Sequence, residues 1–109
     1  DARLSDKNIC QKVVRLVEGI ENDTPIHAAL MLYKAKALRH LGLAIAARDT
    51  LTAALRRKKG LSGDLLRALR YERALVYEEL GQRQRARSEL EKLYAEDADY
   101  EDVAERLGR

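Results

Sequence analysis

The sequence predicts an all-α fold built of antiparallel helix-turn-helix pairs, and three observations carry that expectation. Ala, Leu, Glu, Lys and Arg are abundant among the 109 residues, with one proline, no tryptophan and no phenylalanine. This composition favours helix and supplies almost nothing to break it. Apolar residues recur at steps of three and four along most of the chain, the spacing that draws a stripe on a helix. A block of small, large and turn residues also recurs 39 residues apart: Ala35, Leu41-Gly42, Ala47, Leu51 and Ala54, then Ala74, Leu80-Gly81, Ala86, Leu90 and Leu93.

A first helix is expected over residues 5–22, with Ser5 as its cap and Asp6 against the positive end of the dipole. Its stripe is Ile9, Val13, Leu16, Val17 and Ile20, and a helical Gly19 costs roughly 1 kcal/mol relative to alanine. Thr24-Pro25 starts a second helix, because the hydroxyl can take an orphan amide and proline loses nothing at the first helical position. This helix runs to about Leu41. Its apolar set, Leu30, Met31, Tyr33, Ala35, Ala37, Leu38 and Leu41, is wide enough to touch neighbours on two sides, and Gly42 supplies the left-handed stop. Helix three, Ala44 to Lys58, carries Ala47, Leu51, Ala54 and Leu55 and ends in Arg56 to Lys59, which suits the helix dipole. Gly60-Leu61-Ser62-Gly63 reads as a linker. Asp64 is the expected cap of helix four, which buries Leu65, Leu66, Leu69, Ala74, Leu75, Tyr77 and Leu80 and stops at Gly81. Helix five spans Arg83 to Glu96, with Ala86, Leu90, Leu93 and Tyr94 inward, and a sixth begins at Asp99 with Val103, Ala104 and Leu107 on one side.

The paired block resembles the tetratricopeptide repeat, in which small residues sit where two helices of a unit cross and a large residue fills the groove beside them. Ala35 and Ala74 match the first small position, Ala47 and Ala86 the second, Leu51 and Leu90 the large one, and Tyr77 the ring of the first helix. The 39-residue step exceeds the family's 34, Leu38 replaces the ring in the first copy, the early tryptophan is missing, and Lys59 and Ala98 stand where a closing proline is usual. Cys10, Val14 and Val17 repeat the spacing of Ala47, Leu51 and Ala54, so helix one reads as the second helix of an earlier, partial repeat. The resemblance implies one domain over residues 1–109: a partial repeat at 5–22, repeats at 25–59 and 64–98, and a capping helix at 99–108.

A right-handed α-solenoid follows from the resemblance, with the first helix of each unit lining a concave groove. Carried over by register, the groove residues are Leu32, Tyr33, Lys36, Arg39 and His40 from one unit and Tyr71, Glu72, Leu75, Glu78 and Glu79 from the next. One wall is basic and the other acidic, with two tyrosines and two leucines as rigid anchors or as packing between helices. The family's lysine/asparagine clamp for C-terminal carboxylates is absent, since Leu32 and Tyr71 stand where polar groups belong. The implied function is a protein-protein interaction module that binds a peptide or protein segment. An oligomerisation or scaffold role within a larger protein is the alternative.

Other classes find little footing. His27 and His40 are 13 residues apart and form no metal-ligand pair. Glu78-Glu79 and Asp97/Asp99 lack a partner base, and Gly60 to Gly63 lacks the lysine and strand of a phosphate loop. Cys10, the only cysteine, allows no internal disulfide and reads as packing. No catalytic residue, metal or cofactor is expected, and the chain is read as a non-enzyme. No run approaches the ~20 apolar residues of a membrane span. Nucleic-acid binding through Arg56 to Lys59 and Arg83, Arg85 and Arg87 is disfavoured by the absence of interleaved aromatics. Residues 1–88 hold 18 basic against 10 acidic side chains and residues 89–109 hold 3 against 8, a division that also admits a homo-oligomer. A cytoplasmic setting is expected, and the start at Asp1 is read as a piece of a larger protein.

Overall fold

A computed structural model describes residues 7–17, 25–57 and 59–109. Six helices follow one another, with no strand among the described residues: α1 Lys7–Val17, α2 Pro25–His40, α3 Ala44–Arg56, α4 Gly63–Glu79, α5 Arg83–Glu96 and α6 Val103–Arg106. Ser5, Asp6, Gly19 and Thr24, which figured in the expected helix ends, lie outside the described residues.

Three boundaries differ from expectation. Helix α3 stops at Arg56 because Arg57 leaves the helical region, at φ −111° and ψ 74°. Ser62, not Asp64, caps α4: its backbone is extended and its Oγ accepts the Leu65 N–H at 3.1 Å. A cap must lie just outside the helix, two or three residues before the amide it satisfies, and only Ser62 is so placed. Asp64 instead lies in the first turn, where it accepts from Arg67 at 2.5 Å. The expected capping helix is a single turn, Val103–Arg106, because residues 97–102 form turns and Glu101 adopts a left-handed φ of 43°.

The two helix pairs reverse by the same device. Gly42 N–H donates to the Arg39 carbonyl and Leu43 N–H to the Leu38 carbonyl; 39 residues later Gly81 donates to Glu78 and Gln82 to Tyr77. These crossed bonds form a Schellman turn, which needs a left-handed residue after the helix. Gly42 and Gly81 provide it at φ 80° and 75°. The end of α6 repeats the closure, with Gly108 donating to Glu105 and Arg109 to Ala104. Val103-Ala104-Glu105-Arg106-Leu107-Gly108 thus echoes Val76-Tyr77-Glu78-Glu79-Leu80-Gly81, a third copy of the turn that the 39-residue comparison misses.

Packing follows the repeat. Ala35 and Ala74 are fully buried, as are Ala47 and Ala86, Leu51 and Leu90, and Ala54 and Leu93, none more than 2% exposed. Each helix packs on the next, and α4 touches α2 as well as α3, whereas α3 and α5 do not meet among the described residues. One core cluster holds Ala35, Leu51 and Ala54 with Leu69 and Val76 of α4, and another holds their counterparts Ala74, Leu90 and Leu93 with Val103 and Leu107. Cys10 is buried against Ala37, the packing role read from its spacing, although the side chain of Val17 lies outside the described residues. The two acids buried among the described residues are paired across helices, Glu72 of α4 with Arg39 of α2 and Glu89 of α5 with Arg73 of α4, as buried charges require.

At the crossings the methyl of alanine sets how closely the backbones approach. Ala47→Leu and Ala86→Leu are each expected to cost about 1 to 3 kcal/mol by overpacking, measured by urea unfolding. Ala95→Leu on the exposed side of α5 should stay within about 0.5 kcal/mol. Equal midpoints for all three would show that the alanines are not close crossings.

Candidate functional site

Most of the groove residues expected from the sequence lie together on one side of the molecule, where α2 and α4 meet. Lys36, Arg39, His40, Tyr71, Glu72 and Leu75 line a cleft of about 280 Å³ completed by Ala68, Tyr100 and Glu101. A second cleft of about 270 Å³ adjoins it through Arg39 and Leu75 and adds Glu78, Glu79 and Arg106. Leu32 and Tyr33 line neither cleft, and Leu32 is turned inward. It is 8% exposed and belongs to the core with Ala35, Leu38 and Leu51, so it is corrected from groove lining to packing. The cause is the 3.6-residue period, which turns position 32 inward with 35 on a helix that has neighbours on two sides.

The two tyrosines divide. Tyr33 is 51% exposed, with the Lys36 ammonium 5.8 Å from its ring centroid. Tyr71 is packed: its ring meets Tyr100 edge to face at 5.9 Å and its hydroxyl donates to Asp102. A packing role therefore describes Tyr71, and Tyr33 is left as a free ring.

The expectation of a basic wall opposite an acidic one changes once the pairs are seen. Arg39 Nε donates to Glu72 and its Nη1 to Glu79 at 3.2 Å, joining α2 to α4. Arg106 Nη1 donates to Glu78 at 2.6 Å and its Nε to Asp102 at 3.0 Å, joining α6 to α4. Burial alone would lower the Arg39 guanidinium, and its bonds to Glu72 and then Glu79 outweigh that and raise it above its ordinary value. The acidic wall is thus bound into the fold. Among the described residues no carboxylate pairs with Lys36 or His40 of α2, and Tyr33 on the same helix is exposed.

Sequence reasoning missed Tyr100, Asp102 and Arg106, which complete the network from the far end of the chain. A signal existed for Arg106: in the third turn copy it stands where Glu79 stands in the second. Arg39 with Glu79 and Glu78 with Arg106 are therefore the same junction with the charges exchanged. Among the described residues no group of three or more His, Cys, Asp or Glu is placed to hold a metal ion, and no helix is long and apolar enough to cross a membrane.

Glu72 is 2% exposed, so removing its partner strands a buried charge. Arg39→Ala should cost about 3 kcal/mol, and Arg39→Leu combined with Glu72→Leu should recover most of it, since apolar replacements of a buried pair are often neutral. A double-mutant cycle by urea unfolding measures this. Additive losses would mean the pair is not coupled.

The Tyr71–Asp102 bond predicts pH dependence at both limits. The Tyr71 hydroxyl, with Arg106 support, holds the Asp102 carboxyl below its ordinary value, partly opposed by burial. Burial and then Asp102 push the Tyr71 phenol up to about 12, with Arg106 pulling the other way. A depressed carboxyl stabilises the fold above about pH 4 and loses that contribution as pH falls through its folded value; a raised phenol stabilises it below about pH 10 and loses that as pH rises toward 12. Tyr71→Phe should lower stability near neutrality by about 1 kcal/mol and flatten both limbs of the urea-midpoint profile. In a carbon NMR titration Asp102 should move up toward the ordinary carboxylate range. An unshifted Asp102 would show that the hydroxyl does not hold it.

Compared with protein-family models, curated proteins and solved structures, the chain matches none.

Proposed function

We propose that the chain is a tetratricopeptide-like interaction module that takes a peptide or protein segment along the inner face of α2 and α4. What carries the reading is the asymmetry of contact: α2 and α4 touch one another while α3 and α5 do not. First helices converge and second helices fan apart, the arrangement that curves a stack of helix pairs around a groove. The repeated small-residue crossings and Leu-Gly turns support the same reading.

Tyr33, exposed beside Lys36 at the edge of that groove, is the anchor, and Lys36 and His40 are the polar contacts. An exposed ring on a rigid helix gives large contact area at low entropic cost, the property that concentrates binding energy in tyrosines. Arg39, Glu72, Glu78, Glu79 and Arg106 set the shape of the groove by holding its helices together. Leu75, shared by both clefts, provides an apolar patch on the floor.

A photo-crosslinking residue in place of Tyr33 should capture the partner, and one in place of Ser88, on the exposed side of α5, should not. Tyr33→Ala with Lys36→Glu should weaken binding of the captured partner by about tenfold to a hundredfold with melting unchanged. Equal capture from both positions, or full affinity in the double variant, would put the contact surface elsewhere.

A further inference from the structure

A further concavity with a charged rim lies away from the clefts between α2 and α4. A cleft of about 400 Å³ opens where the last turn of α4, the first two turns of α5 and the end of α6 meet, lined by Glu78, Arg83, Ala86, Arg87, Leu90, Arg106 and Leu107. It shares only Glu78 and Arg106 with the inner clefts. Three guanidinium groups stand against one carboxylate, over a floor of Ala86, Leu90 and Leu107.

Arg106 is already engaged by Glu78 and Asp102. Arg87 pairs with Glu91 at 3.1 Å, and both are more than half exposed, so a competing carboxylate displaces that pair at little cost. Arg83 has no acidic partner among the described residues. The 39-residue step shows what is unusual about it. Arg83, Ala86 and Leu90 stand where Ala44, Ala47 and Leu51 stand at the preceding junction, and there Ala44 packs against the core cluster. At the α5 surface the alanine is an exposed arginine, so the corner that is apolar at the preceding junction carries positive charge here.

We propose that this cleft binds an acidic peptide segment that sets a carboxylate against Arg83 and Arg87 and an aliphatic side chain over Ala86 and Leu107. The guanidinium matches a carboxylate in a two-pronged bond, and the volume falls within the range of ligand sites. A nucleic acid fits poorly, because no aromatic ring lines the cleft to stack a base.

The test uses a fluorescein-labelled peptide, acetyl-Glu-Leu-Glu-Glu-Leu-Glu-amide, in anisotropy titrations of the whole chain at low salt. Its all-glutamine counterpart and an oligothymidine serve as comparisons. The glutamate peptide is expected to bind and the glutamine peptide to bind at least about tenfold more weakly. Arg83→Glu with Arg87→Glu should lose at least about tenfold in affinity with unchanged melting, while Tyr33→Ala with Lys36→Glu should leave the binding intact. Absence of binding at millimolar peptide, equal binding of the glutamine peptide, or full affinity in the arginine variant overturns the proposal. So does tighter binding of oligothymidine, or a salt-sensitive dimer in sedimentation that the arginine substitutions abolish, which would make a second copy the occupant. Because the groove and cleft variants touch different residues, failure of one reading is separable from failure of the other.

Discussion

The fold depends on helix backbones approaching closely at alanines. Ala35, Ala47, Ala74 and Ala86 are all buried, and beside them Leu51, Leu90 and Leu93 fill the space that the short side chains leave. A bulky residue at a crossing separates the helices, whereas a small one lets the flanking leucines interdigitate. The Leu-Gly turns make the crossing possible by reversing the chain within two or three residues. Each ends a helix with its last carbonyls satisfied and returns the next helix along the previous one.

On that apolar frame the junctions between pairs are secured by charge. Arg39 holds Glu72 and Glu79, and one unit later Glu78 holds Arg106. The position is conserved in geometry and reversed in sign within one chain. A buried pair such as Arg39 with Glu72 contributes little net stability, because desolvation offsets most of the attraction. Its consequence is selectivity: α2 accepts an acidic neighbour at this point and α4 a basic one. Tyr71 reinforces the second junction through Asp102 and Tyr100, tying the turns of residues 97–102 to α4.

Charge pairing also decides which residues are available to a partner. The acids of α4 look like a negative wall in the sequence, and in the fold they are occupied by arginines from either side. Among the described residues, what stays open beside the clefts between α2 and α4 is the α2 stripe of Tyr33, Lys36 and His40, and elsewhere the arginine corner of α5. The two surfaces differ in chemistry, an aromatic with cations in one case and guanidinium groups over aliphatic residues in the other.

The sequence by itself determined the helices, their turns and the paired crossings, because these rest on local causes. Helix period, glycine at a left-handed position and a small residue repeated in register are all readable along the chain. Ser62 over Asp64 as the cap of α4 and the single turn of α6 were less legible, since several polar residues compete for the first and a left-handed Glu101 ends the second possibility. Only the tertiary structure decided that Leu32 faces the core, that Tyr71 is packed while Tyr33 is free, and which carboxylates are already bound. Those outcomes turn on pairs such as Arg39 with Glu72 and Glu78 with Arg106, 33 and 28 residues apart, whose meeting depends on how whole helices dock and not on any spacing within one of them.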